Sequence, residues 1–91
     1  MELERLFTSV GQDLRTETIY IPLLEEGVPV YRPTQAKPLE EATFLVLPTP
    51  DYDPDIEIWE FPPGSVVSCE IERHEDRELL VARRLVRGSA T

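Results

Sequence analysis

The residues best placed to do chemistry are four acids that recur at every second position of one stretch, at Asp51, Asp53, Asp55 and Glu57. Calcium-binding loops of the EF-hand type also begin with oxygen ligands at alternate positions, followed by a glycine at the sharp turn and a closing glutamate. This chain has Ile56 where the glycine belongs and Pro62 where the glutamate belongs. The pattern therefore favours a solvated acidic loop over a metal site.

Two other residue types that often carry catalysis occur once each, as His74 and Cys69. His74 stands in a polar stretch without a second His or Cys at ligand spacing, which is typical of a surface histidine. Cys69 alternates with Val67 and Ile71, so we expect its thiol to be buried and to behave as a small apolar group. The sequence thus predicts no catalytic residue, no metal ligand and no cofactor.

The charge of the chain argues against two classes of partner. It has 18 acids and 9 bases, for a net charge of −9, and a field of that sign repels nucleic acids and anionic membranes. A basic cluster is formed by Arg83, Arg84 and Arg87. Because neighbouring strand residues point to opposite faces, we expect these arginines to pair with surface acids rather than to bind phosphate.

Aromatic residues interleaved with prolines are the least ordinary feature, and such sets build either peptide grooves or a core with turns. The longest irregular segment, residues 48–55, contains three prolines, which lower the entropic cost of ordering it. Tyr52 lies in its middle between acids, so we expect an exposed ring and a basic or neutral partner.

We expect any partner surface to lie where this segment meets Tyr31 and the Pro62-Pro63-Gly64 turn. The candidate residues are Tyr31, Arg32, Tyr52, Asp53, Pro62 and Pro63. Arg32 is an isolated cation in an acidic region and is predicted to pair with Glu57 or Glu70. The alternative, that residues 48–55 are only a rigid connection between strands, remains open at this point.

The elements that would position these residues are short strands. Alternation with a period of two predicts strands over 16–24, 28–32, 43–47, 56–61, 66–73 and 79–86, a hairpin turn over 74–77 and a buried Trp59. Closure of such strands removes exposed edges, so we expect an all-β fold: a small antiparallel barrel of five or six strands, SH3-like or related. Residues 1–15 are predicted to be a leader or short amphipathic helix, 16–87 the barrel domain, and 88–91 a frayed end.

The cellular location follows from what the chain lacks. A single cysteine cannot form an internal disulfide, which favours a reducing compartment. No apolar run approaches the ~20 residues of a membrane span, and residues 1–5 lack the basic start of a signal peptide. We therefore expect a cytoplasmic protein.

Three stretches carry a resemblance to a known group. They are Ile19 to Gly27, Val30 to Pro33 with Ala36, and Trp59 to Val67. This chain resembles a group of small uncharacterised bacterial proteins that share the pattern YxPLxxEGxxVxRP followed by WEFxPGSxV. The resemblance covers roughly residues 19–70, implies a bacterial origin and a compact β fold, and implies no catalytic residue.

These observations favour a non-catalytic interaction or regulatory module that binds a protein or peptide. The alternative is a small-ligand or metal-dependent binding protein, or an enzyme, that uses the acids of 51–57 and His74. A nucleic-acid-binding barrel is a third possibility, and the charge argues against it.

Overall fold

The computed structural model describes residues 15–88. The predicted leader or helix, except Arg15, and residues 89–91 of the predicted frayed end lie outside this range. The described chain is all-β and contains six strands: β1 (Glu17–Leu24), β2 (Tyr31–Pro38), β3 (Thr43–Val46), β4 (Ile58–Trp59), β5 (Val66–His74) and β6 (Arg77–Arg87). No helix long and apolar enough to cross a membrane occurs among these residues.

Five of the six strands pair in a closed ring, in the order β2-β3-β5-β6-β1, and β1 returns to pair with β2. β4 lies outside the ring and is paired with β1. The predicted all-β fold is confirmed. One pairing differs from the expected antiparallel pattern, because β1 and β6 meet in parallel, at Tyr20 and Val81. This contact joins strands far apart in sequence, so local alternation carries no signal for it.

The core lies inside the ring and is built from alternate residues of the strands. Ile19 and Ile21 of β1 and Val67 of β5 are fully buried, as a period of two requires. The predicted burial of Trp59 and of Cys69 is confirmed, since they are 4% and 5% exposed. The other buried members of this cluster are Ala36, Phe44, Val46, Phe61 and Ala82.

All six strands differ from their predicted bounds by at least one residue, and β2 and β4 differ the most. β2 begins at Tyr31 and includes Pro33, although the sequence predicted a strand over 28–32. Pro33 is tolerated because β3 contacts β2 only from Ala36 onward, so its missing N–H breaks no hydrogen bond on that side. β4 has two residues instead of the six predicted over 56–61, because the preceding residues form a turn in which Ile56 and Glu57 donate to the carbonyl of Asp53.

Candidate protein-interaction surface

Arg32 of β2 binds the end of the acidic loop through Glu57. Its Nε donates to Glu57 Oε1 at 3.0 Å, and its Nη2 donates to Oε2. The guanidinium hydrogen bonds hold the pKa of Glu57 below its ordinary value, and the carboxylate raises the pKa of Arg32. The predicted pairing of Arg32 with Glu57 is therefore confirmed, and it ties the loop to the sheet.

Glu57 continues this chain of contacts toward the core. Its Oε1 also accepts a hydrogen bond from Trp59 Nε1 at 3.2 Å. The Trp59 ring meets the ring of Tyr52 edge to face, with centroids 4.8 Å apart. We call Arg32, Glu57, Trp59 and Tyr52 the loop anchor.

The prediction that the Tyr52 ring is exposed is wrong. Tyr52 is partly buried and packs against the hydrophobic core. Its neighbours in the sequence are acids and prolines, so no apolar period marked it as a core residue. Tyr52 is partly buried because its ring packs edge to face against the indole of Trp59.

Hydrogen bonds within the loop fix the backbone around Asp53. The carbonyl of Asp53 accepts from the N–H groups of Ile56 and Glu57 at 2.9 and 3.1 Å, and its Oδ1 accepts from the Asp55 N–H at 2.9 Å. A hydrogen bond from Thr49 lowers the pKa of Asp51. Within residues 15–88 no group of three or more His, Cys, Asp or Glu is arranged to hold a metal ion.

Aliphatic side chains stand exposed on the outer side of this loop. Leu24 of β1 and Ile58 of β4 are register partners and are 43% and 40% exposed, and Ile56 is 76% exposed. Acids flank them in the sequence, because the exposed Glu25 and Glu26 follow Leu24, and the exposed Asp55 and Glu60 lie within two residues of the isoleucines. We call Leu24, Ile56, Ile58, Glu25, Asp55 and Glu60 the acidic aliphatic surface.

Sequence reasoning did not single out this surface, although a signal for it existed. The alternation over 56–61 placed Ile56 and Ile58 on one face and Trp59 and Phe61 on the other. Because large aromatic side chains bury more area than isoleucine, they take the core side and leave the isoleucines outside.

Tyr31 belongs to a different group of side chains. Its ring meets His74 edge to face at 5.3 Å, and the guanidinium carbon of Arg83 lies 5.6 Å from its centroid. Arg83 donates to both carboxylate oxygens of Glu72, at 2.5 and 2.7 Å, and to the Tyr31 hydroxyl at 3.2 Å. The hydrogen bonds from Arg83, together with one between Glu72 and His74 Nε2 at 3.1 Å, lower the pKa of Glu72 to about 2.

We call Tyr31, Glu72, His74 and Arg83 the outer cluster. The expectation that Arg83 pairs with a surface acid is confirmed. The carboxylate partner of His74 was not predicted, although Glu72 precedes it by two residues on the same strand and so lies on the same face. Both oxygens of the Glu72 carboxylate accept hydrogen bonds from Arg83, so Arg83 and Glu72 form a bidentate ion pair at the surface.

Pro62 and Pro63 belong to a turn with its own hydrogen bonds. Pro62 is exposed, and its carbonyl accepts from the Ser65 N–H at 3.1 Å. Gly64 has a φ of 94°, a conformation that favours glycine, and its N–H donates to the Val46 carbonyl. No hydrogen bond, ion pair or aromatic contact among the described residues joins this turn to the loop anchor. The contacts of the described residues thus divide among three groups: the loop anchor, which includes Arg32 and Tyr52, the outer cluster, which includes Tyr31, and the turn that contains Pro62 and Pro63.

Two grooves lie elsewhere on the sheet. One, of about 590 Å³, is lined by Leu39, Glu40, Thr43, Val66, Val86 and Arg87. The other, of about 310 Å³, is lined by Thr18 of β1, by residues 33–35 of β2 and by residues 48–50 at the start of the 48–55 segment. Neither groove is lined by His74, Cys69 or an acid of the 51–57 loop. Burial alone raises the pKa of the Cys69 thiol to about 12, so the reactive thiolate is disfavoured.

Comparison of the chain with protein families, with curated proteins and with solved structures finds no match in any of the three. The resemblance seen in the sequence pattern therefore stays a prediction.

Proposed function

We propose that this protein is a non-catalytic interaction module that binds a protein or peptide through its acidic aliphatic surface. The observation that carries the proposal is the exposure of Leu24 and Ile58, which are register partners on neighbouring strands. Scattered exposed aliphatic residues are common, but adjacent ones with polar residues around them are typical of interaction sites.

The loop anchor supports this function by fixing the surface in one conformation. Ile58 lies between Glu57, which binds Arg32, and Trp59, which is 4% exposed. A surface that is ordered before binding loses less conformational entropy when a partner arrives. The single buried thiol of Cys69 fits a reducing compartment, which supports a cytoplasmic location.

Affinity capture with matched variants tests the proposal. The wild-type protein, Ile58→Ser and Ile71→Ser would each be immobilised and incubated with an extract of the cells from which the protein comes. Ile71 is the matched control, since it is a 71% exposed isoleucine on β5 that, like Ile58, directly follows a glutamate.

We expect a partner that wild type and Ile71→Ser retain and Ile58→Ser loses, with all three proteins folded by circular dichroism. Equal recovery by Ile58→Ser and wild type would show that the partner binds elsewhere. In that case the acidic aliphatic surface is only part of a rigid connection between strands.

A further inference from the structure

We infer that the partner of the acidic aliphatic surface presents a segment in which apolar side chains alternate with lysine or arginine. This inference rests on the proposed function and names the chemistry of its partner. It follows from the exposed acids that flank Leu24, Ile56 and Ile58 in the sequence.

Within the described part of the chain, acids outnumber cations near this surface. Residues 51–60 contain five acids and no Lys or Arg, and Glu25 and Glu26 follow Leu24 directly. Among the described residues, the cation that pairs with an acid of this region is Arg32, and it neutralises Glu57. Among residues 15–88, no ion pair includes the exposed carboxylates of Glu25, Asp55 or Glu60.

These charges discriminate among partners of different kinds. An acidic partner would be repelled, and a neutral one would desolvate carboxylates without pairing them. A partner with Lys or Arg beside its apolar residues would bury the aliphatic groups and pair the carboxylates at the rim.

A second copy of the chain is the competing occupant. The end of β6 exposes Leu85 and Val86 at 49% and 43%, beside Arg84 and Arg87, which is the same chemistry. Two chains of net charge −9 repel each other, however. We therefore assign the surface to a separate chain, and the oligomeric state is measured as part of the test.

The test uses a short fluorescein-labelled peptide of alternating lysine and leucine and follows its anisotropy as protein is added. Two control peptides separate the contributions of charge and of apolar contact. One alternates glutamate and leucine, and the other alternates lysine and serine. We expect binding of the lysine–leucine peptide that weakens as salt shortens the Debye length from about 30 Å at 0.01 M to about 3 Å at 1 M.

Variants place the peptide on the surface. Ile58→Ser should weaken binding roughly tenfold, because the peptide then loses most of one buried aliphatic contact, and Ile71→Ser should not. Glu60→Gln should weaken it several-fold, whereas Glu78→Gln, an exposed glutamate of β6, should have no effect.

Three results would overturn the inference. Equal binding of the lysine–serine peptide would show that charge alone attracts it, and equal binding of the glutamate–leucine peptide would show that charge selects nothing. Wild-type affinity in Ile58→Ser would place the peptide elsewhere.

A separate measurement examines the second copy. Sedimentation of the unlabelled protein that reveals an oligomer lost in Ile58→Ser would assign the surface to self-association, which also overturns the inference. The capture experiment is independent of these peptides, so the proposed function stands if its partner depends on Ile58 and proves not to be basic.

Discussion

Replacing Arg32 with glutamine tests whether the loop anchor stabilises the fold. The substitution removes a bidentate contact to Glu57 and leaves Trp59 Nε1 as the remaining side-chain donor to that carboxylate. The side chains of Arg32 and Glu57 are 33% and 23% exposed. Fully exposed ion pairs contribute ~0–1 kcal/mol, and hydrogen bonds to charged groups ~1.5–3 kcal/mol. For this partly exposed pair we expect a loss of about 1–2 kcal/mol.

Urea unfolding measured through tryptophan fluorescence provides the assay. Trp59 is the only tryptophan and is buried in the native fold, so its emission reports directly on unfolding. We expect Arg32→Gln to lower the midpoint without changing the slope m, which indicates a change of stability alone. A double-mutant cycle with Glu57→Gln should give a coupling energy of about 1 kcal/mol.

Arg87→Gln is the matched control. Arg87 is an exposed arginine at the end of β6, and no ion pair of the described residues includes it. Its replacement should change stability by no more than ~0.5 kcal/mol. Equal losses in Arg32→Gln and Arg87→Gln, or a coupling energy below about 0.3 kcal/mol, would show that Arg32 is an ordinary surface charge.

Three further predictions concern the core and the outer cluster. Trp59→Ala should cost ~3–5 kcal/mol, because it empties a buried site and removes the partner of Tyr52, and a variant that melts within a few degrees of wild type would contradict this. The pKa of Glu72 falls from 4.5 to about 2, so its stabilising effect is complete above pH 4.5 and is lost as the pH falls toward about 2. Glu72→Gln should therefore flatten the fall in unfolding free energy over this range, and an unchanged slope would refute the role of its contact with Arg83. Cys69 should react with a thiol reagent only after unfolding, since it is 5% exposed and burial raises its pKa to about 12, and rapid labelling of the native protein would show an accessible thiol.

Strands whose signal is local could be predicted from the sequence. The two-residue period correctly placed Ile19 and Ile21 of β1 and Val67 and Cys69 of β5 on the core side. It was wrong for Ile71, the next residue of that face of β5, which is 71% exposed. The hairpin between β5 and β6 was also predictable, since polar residues fill its turn. There Glu75 and Asp76 adopt positive φ values of 49° and 70°, as a tight two-residue hairpin turn requires.

Contacts between distant segments could not be predicted from local alternation. The parallel contact of Tyr20 with Val81 depends on how the ring closes. So does the fact that Tyr31 packs against His74 whereas Tyr52 packs against Trp59. Charge allowed one exception. Arg32 is an isolated cation in an acidic region, so an ion pair was expected, and Glu57 was one of the two partners predicted.

The loop anchor and the acidic aliphatic surface contribute different things to the same site. β4 attaches its segment to β1 over two register pairs and one further hydrogen bond, from the Glu60 N–H to the Pro22 carbonyl, which is weak attachment for a binding surface. The Arg32–Glu57 ion pair adds a second attachment, on the sheet, and the Tyr52–Trp59 contact a third, on the core.

This division of roles predicts that stability and binding separate in the two kinds of variant. Ile58→Ser should weaken binding of the lysine–leucine peptide while leaving the urea midpoint nearly unchanged, because Ile58 is exposed and surface substitutions usually change stability by less than ~0.5 kcal/mol. Arg32→Gln should lower the urea midpoint and also weaken binding of the peptide, because a loosened loop must be ordered again when the peptide binds. Wild-type affinity in a destabilised Arg32→Gln protein would show that the surface holds its shape without the anchor.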